Sequence, residues 1–199
     1  MSFTYMAKYS EEFAGNNLNL KISLLDNNNK PVSNEINDSF VAGILKYITD
    51  FSTIYLPNVN SYKRLFEDRI IKNLDIIGNS SSLKPINIIK ENDVQKISFN
   101  LSGADANPYL VLYALIESGK LGLKDKLNSN NISNELKTNK IKFPTSLYKA
   151  NKIFSNSEFA KNTLGKSYHN HYSAFFNFEY QNYNNQVSEW ELNRYLYSI

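Results

Sequence analysis

With 199 residues, of which 42% are hydrophobic, the chain carries apolar material for one substantial core. Its 22 basic and 19 acidic residues leave a net charge of only +3, scattered without a basic block, so nothing argues for nucleic acid or an anionic membrane as partner. The absence of cysteine excludes disulfides, thiolate metal sites and a cysteine nucleophile.

The opening "MSFTYMAKYSEEF" lacks a basic segment followed by an apolar one, and no apolar run approaches bilayer length, so the expectation is a cytoplasmic, soluble protein. A first strand is predicted over about Phe3 to Lys8. A second follows over Leu18 to Leu25, where Leu18, Leu20, Ile22 and Leu24 share one face and Asn19, Lys21 and Ser23 the other. The "DNNNKPV" stretch supplies a turn in residues that tolerate left-handed backbone. From Ser39 the period becomes helical through Phe40, Ile44, Leu45, Ile48 and Phe51, capped at Asp38-Ser39 and ending before Pro57. Between Pro57 and Glu91 the pattern is weak, with a loop over "GNSSSLKP".

Val94 to Leu101 reads as another alternating strand, with Ile97, Phe99 and Leu101 opposed to Lys96, Ser98 and Asn100. Pro108 opens a helix that runs to just before Gly119, and a polar loop is expected over about Asn128 to Lys142. Helices then follow over Ser146 to Phe154, Ser157 to Leu164 closed by Gly165, and Lys166 to about Tyr183, with a last one capped by Ser188 and Glu191. Strands first and helices last predict an α+β fold with an antiparallel β-sheet and a helical C-terminal third. Of the paired imidazoles in "HNH", His169 and His171, one is expected buried and the other exposed, since positions i and i+2 of a helix diverge. The tail aromatics, including Tyr172, Phe175, Phe176, Phe178, Tyr183 and Trp190, are spaced for a helix against a core or a neighbour. Asp50, Glu67, Asp68, Glu91 and Asp93 form no spaced pair and read as solvated surface.

Four segments, "YMAKYSEEFAGNNLNLKISL", "AGILKY…LPNVNSYKRL", "KISFNLSGADANPYL" and "HYSAFFNFEYQNYNNQVSEWELNRYL", occur in the order and spacing of motifs in the glutamine synthetase family, and the chain resembles the second half of its catalytic domain. The aromatic tail is more similar to the γ-glutamyl amine ligase branch than to the ammonia-using one. For a complete member the resemblance implies an N-terminal β-grasp domain and a catalytic domain, a curved antiparallel β-sheet backed by α-helices, assembled in rings; it also sets His171 at the family's H-Y packing position. It also implies phosphorylation of the glutamate γ-carboxylate by ATP with Mg2+ or Mn2+, then attack by ammonia or an amine. It places all of residues 1–199 in a partial catalytic domain, without the β-grasp domain and the first half of the catalytic domain.

Carried over residue by residue, the resemblance meets substitutions. The two histidines of the G-M-H-x-H motif fall on Asn19 and Lys21; the arginine, glutamate and arginine of R-x-E-x-R fall on Lys96, Ser98 and Asn100. The flap glutamate corresponds to Ile70, and Ser80 stands where an arginine is expected. Arg64 alone matches a substrate-binding position, the arginine that holds the glutamate carboxylate, though packing a turn of the fold is the favoured explanation of its presence. No catalytic residue, metal ligand or cofactor is therefore assigned. The expectation is a ligase-lineage domain inactive on its own. One alternative is a pseudo-subunit regulating an active oligomer, with a second copy or a full-length homologue as partner. Another is the C-terminal half of a split glutamate–amine ligase.

Overall fold

The computed structural model describes residues 3–67, 77–79, 84–91, 94–138 and 143–197. Its sheet has the order β1 (Leu20–Ile22), β4 (Val94–Phe99), β3 (Ile86–Glu91), β2 (Ile77–Asn79). The first three run antiparallel as expected, while β2 joins β3 in parallel at the edge. Register explains the alternation. Leu20, Phe99 and Ile86 are aligned across the strands, as are Ile22, Ile97 and Ile88, and these rows line one face. Between them runs a row of Lys21, Ser98 and Asn87 on the other face, because paired residues project to the same side.

The apolar face packs on α1 (Asn34–Lys46) and α4 (Pro108–Lys124). Phe40, Val41, Ile44 and Leu45 of α1 are buried with Val111, Ala114 and Leu115 of α4 and with Ile97 and Phe99 of the sheet. Each such side chain contributes about 1.5–3 kcal/mol by leaving water. The two helices approach until backbone meets backbone: a Cβ built on Gly122 would lie 2.1 Å from Ser39 O, and one on Gly43 2.2 Å from Ser118 O. Only glycine permits this spacing. For the same reason α4 continues past Gly119, where the sequence pattern suggested an end.

Other boundaries shift for identifiable reasons. Residues 3–8 form no strand, because side chains take the bonds a neighbouring strand would supply. Asn60 accepts from Lys8 N at 2.8 Å and donates to Lys8 O at 2.8 Å, while Asn16 donates through its side chain to Met6 O and through its backbone to Ala7 O. Helix α1 starts at Asn34 under the Ser33 cap, ahead of the Asp38-Ser39 start predicted. Asp38 instead accepts from Ser129 N at 3.0 Å, Asn128 Nδ2 at 3.1 Å and Ser129 Oγ. It thereby anchors α5 (Ser129–Thr138), a helix within the stretch expected to be loop. The sequence signal for α5 was the pair Ile132 and Leu136, both buried at i,i+4 spacing.

The helix expected up to Pro57 is completed by a separate short α2 (Ser52–Tyr55), and the weak region after it contains a 3-10 turn (Val59–Tyr62), α3 (Lys63–Glu67), β2 and β3. In the "DNNNK" turn Asn29 takes the left-handed conformation at φ 59°, with Asp26 accepting from Asn28 N and Lys30 N. The C-terminal helices follow expectation: α6 (Leu147–Asn156), α7 (Glu158–Leu164), α8 (Lys166–Asn184) and α9 (Glu189–Tyr195), the last with its Ser188–Glu191 capping box. His169 is the buried imidazole, its Nε2 2.8 Å from Phe154 O, and His171 is exposed, reversing the expected assignment of the packing position. The helix presents His169 to α6 through the same stripe as Tyr172 and Phe176.

Candidate functional site

The face of the sheet opposite the core gathers most of the positions singled out from sequence. Lys21 and Ser98 are paired in register, and the Ser98 hydroxyl lies 3.2 Å from Asn19 Oδ1 and 3.3 Å from Asn100 Oδ1. Asn19 and Lys21 are exposed, whereas Ser98 is buried. Lys96 stands one row along, paired with Ile89. Asn87 completes the Lys21–Ser98 row and was missed from sequence, although Ile86-Asn87-Ile88 alternates as its neighbours do. It is buried, donates to Lys84 O at 2.9 Å, and its Oδ1 has no hydrogen-bond partner among the described residues. Ile70 and Ser80, the other substituted positions, and the carboxylates Asp68 and Asp93 lie outside the described residues.

The donor set is chemically plain: three amides, a hydroxyl and two ammonium groups. Hard divalent cations are held by anionic oxygens, and Lys21 brings positive charge into the row where one would sit. These residues do not fit such an ion. Among the described residues no group of three or more His, Cys, Asp or Glu is placed to hold a metal.

Arg64 lies on α3, buried, behind this face. Its guanidinium donates to Leu101 O at 2.7 Å and Asn100 O at 2.9 Å, and Asn17 Oδ1 is 3.5 Å away. Asn100 is thus shared, its side chain turned to Ser98 and its carbonyl to Arg64. The rest of the "NSYKRL" segment is similarly occupied. Ser61 Oγ donates to Asp105 Oδ2 at 2.6 Å, joined by Asn58 Nδ2 at 2.9 Å, while Asn60 holds Lys8. Tyr62 is buried between them, and burial, reinforced by the Asp105 carboxylate, pushes its phenol well above the ordinary range. Asp105 was not marked from sequence; its position two residues ahead of the Asn107 cap of α4 was the available clue.

Away from the sheet, Asp50 is half-buried where solvated surface was expected, and desolvation raises its carboxyl pKa, partly offset by a hydrogen bond from Ser157. The tail aromatics divide. Phe176 is buried, but Phe175, Phe178, Tyr183 and Trp190 are 48%, 59%, 49% and 64% exposed, so the described residues leave about half or more of each of these four side chains uncovered.

A sheet with one apolar and one polar face, the apolar one backed by α1 and α4, followed by a helical tail, is the scaffold that carries these positions. The family model "Glutamine synthetase, catalytic domain" matches residues 1–195, and the chain belongs to the glutamine synthetase family. Among curated relatives it is 32% identical over 179 residues to type-1 glutamine synthetase 2 of Dictyostelium discoideum, covering 86% of this chain and 34% of that one. It is 31% identical over 226 aligned positions to glutamate–isopropylamine ligase of Pseudomonas sp., covering 98% of this chain and 46% of the relative. With γ-glutamylethanolamide synthetase GlnA4 of Streptomyces coelicolor it shares 28% identity, covering 98% and 44%. The solved structure titled "Apo GmaS without ligand" superposes with a TM-score of 0.80 at 21% identity, covering 97% of this chain and 48% of that one, which supports the fold. The chain therefore spans about half the length, or less, of the relatives it matches.

Proposed function

We propose that this chain is a glutamate–ammonia or glutamate–amine ligase-type domain that does not form an amide bond by itself. The carrying observation is the Lys21–Ser98–Asn87 row flanked by Asn19 and Asn100: amides, a hydroxyl and an ammonium group on the strands where the resemblance implies metal and nucleotide ligands. Phosphoryl transfer from ATP needs its developing charge neutralised, and losing even one stabiliser of that kind costs roughly a hundredfold or more in rate. Several substitutions act together here. Arg64 supports the same reading, since its guanidinium is engaged with main-chain carbonyls. Titration calorimetry with ATP and Mg2+ or Mn2+ tests it: no metal-dependent nucleotide site is expected. Micromolar metal-dependent binding, or phosphate release on adding glutamate and an amine, refutes it.

A second reading, that the domain works docked to a second copy or to a longer homologue, is supported by the exposed tail. Helix α9 buries none of its residues, and a seven-residue helix has little stability without packing. Such an apolar surface calls for cover. Light scattering after size exclusion, alone and with a co-expressed full-length homologue, tests it; a monomer that ignores the homologue refutes it. Among the described residues no helix is long and apolar enough to cross a membrane.

A further inference from the structure

A hollow of about 530 Å3 opens between α6 and α8, within the size range of small-molecule sites. Tyr148, Asn151 and Lys152 line it from α6 and Asn170, Ser173 and Asn177 from α8, each set at spacings that keep it on one helix face. The apolar residues of the same helices, Leu147, Phe154 and Phe176 among them, are buried in the core, so the two polar stripes form a separate surface. Asn151 ties the helices together at the base, its Nδ2 donating to Ser173 O at 2.9 Å, which sets the width of the groove before any ligand arrives.

Among the described residues the lining holds no carboxylate, and its one ammonium group, Lys152, is exposed on a flexible stem. Such a lining gives a cation no partner, and a single solvated ammonium group holds an anion only weakly. The remaining groups are neutral and two-sided: the amides of Asn170 and Asn177 and the hydroxyls of Tyr148 and Ser173 each donate and accept. The side chains of Tyr148, Ser173 and Asn177 make no hydrogen bond among the described residues. Tyr148 stands at the rim, 51% exposed, its ring held 5.2 Å from that of Tyr180. An aromatic face held in this way accepts the positively polarised C–H groups of a saturated ring.

We infer that the groove between α6 and α8 binds a neutral polyhydroxylated compound of monosaccharide size, stacked on Tyr148 and hydrogen-bonded through its hydroxyls to Asn170, Ser173 and Asn177. A polyol offers a donor and an acceptor on every hydroxyl oxygen, which amide and hydroxyl side chains match and a carboxylate or an ammonium group does not. The site lies on other elements than the polar sheet face, and the inference does not rest on the reading of that face as inactive. A groove open to solvent leaves much of such a ligand hydrated, so the expected dissociation constant is on the order of millimolar.

The test is an NMR titration of the full chain with methyl α-D-glucopyranoside, methyl β-D-galactopyranoside and myo-inositol, against cyclohexanol as the ring without its array of hydroxyls and sodium phosphate at matched ionic strength. At least one polyol is expected to give saturable shifts confined to α6 and α8, and neither control to do so. Asn177→Ala, at an exposed helix position that tolerates alanine, should weaken that binding about three- to tenfold, the scale of one or two hydrogen bonds. Tyr148→Leu should weaken it by about the same factor through loss of the aromatic face. Lys152→Met should leave it within about twofold, since the ligand is neutral. No saturation with any of the three polyols, an equal response to cyclohexanol, or an Asn177→Ala variant that binds as well as the parent overturns the assignment, and an unchanged Tyr148→Leu variant overturns the stacking. Saturation by phosphate that Lys152→Met abolishes overturns it as well, because the groove is then an anion site.

Discussion

Replacing Arg64 with alanine distinguishes a residue that holds the fold from one kept for a substrate carboxylate. The guanidinium makes charge-assisted bonds to Leu101 O and Asn100 O at 2.7 and 2.9 Å, and the residue is 3% exposed. Hydrogen bonds to charged groups contribute about 1.5–3 kcal/mol each, and the truncation also leaves two carbonyls at the end of β4 short of a donor. The expected loss is therefore about 3–6 kcal/mol, a large share of the roughly 5–15 kcal/mol that holds a domain together. For a chain of this length each kcal/mol moves the melting temperature by about 2–4 °C, so the variant should melt on the order of 10 °C lower. Urea denaturation followed by fluorescence supplies the free energy directly, and a glutamate titration of parent and variant supplies the complementary number. If Arg64→Ala leaves stability within about 0.5 kcal/mol of the parent while abolishing glutamate binding, the structural account of this arginine is wrong.

Asp50→Asn should raise the melting temperature near neutral pH. The folded protein holds the Asp50 proton more tightly than the unfolded chain, because burial penalises the carboxylate, so native stability falls as pH rises through the titration of that group. The gain from the variant should accordingly shrink towards acid pH, and melts at pH 7 and pH 3 check the sign. Gly122→Ala should cost about 1–3 kcal/mol or more, because its Cβ would have to displace the Ser39 carbonyl from 2.1 Å; thermal melts again report it. Asp38→Ala should unfasten α5 from α1, raising amide exchange over 129–138 by at least tenfold while the sheet amides stay protected.

Much of the architecture could be read from periodicity, and the exceptions share a cause. The alternations of Leu18 to Leu25 and Val94 to Leu101, and the caps at Ser146, Ser157 and Ser188, are local signals that the fold obeys. What escaped notice depends on partners far along the chain. Nothing near Lys8 says that Asn60, 52 residues later, replaces a strand, nor that Asp38 serves a helix starting at 129. Gly119 and Gly122 carry the local mark of a helix end, and only the closeness of α1 makes them interior. The candidate site was legible for a similar reason in reverse. Asn19, Lys21, Ser98 and Asn100 fall on two alternating strands, and the register of those strands brings them together. Arg64 was legible by position but its acceptors were not, because they are main-chain carbonyls, which no sequence pattern marks.

The Asn60 contact carries a further consequence for how the molecule breathes. Two carboxamides, Asn60 gripping the amide and carbonyl of Lys8 and Asn16 donating to Tyr5 O and Met6 O, do the fastening that several rungs of a ladder would otherwise share. An edge zipped by many rungs frays gradually from its end, whereas a pair of latches of this kind is either shut or open. Residues 3–8 should therefore detach together, swinging Phe3 and Tyr5 away only when the side chains at positions 16 and 60 both let go.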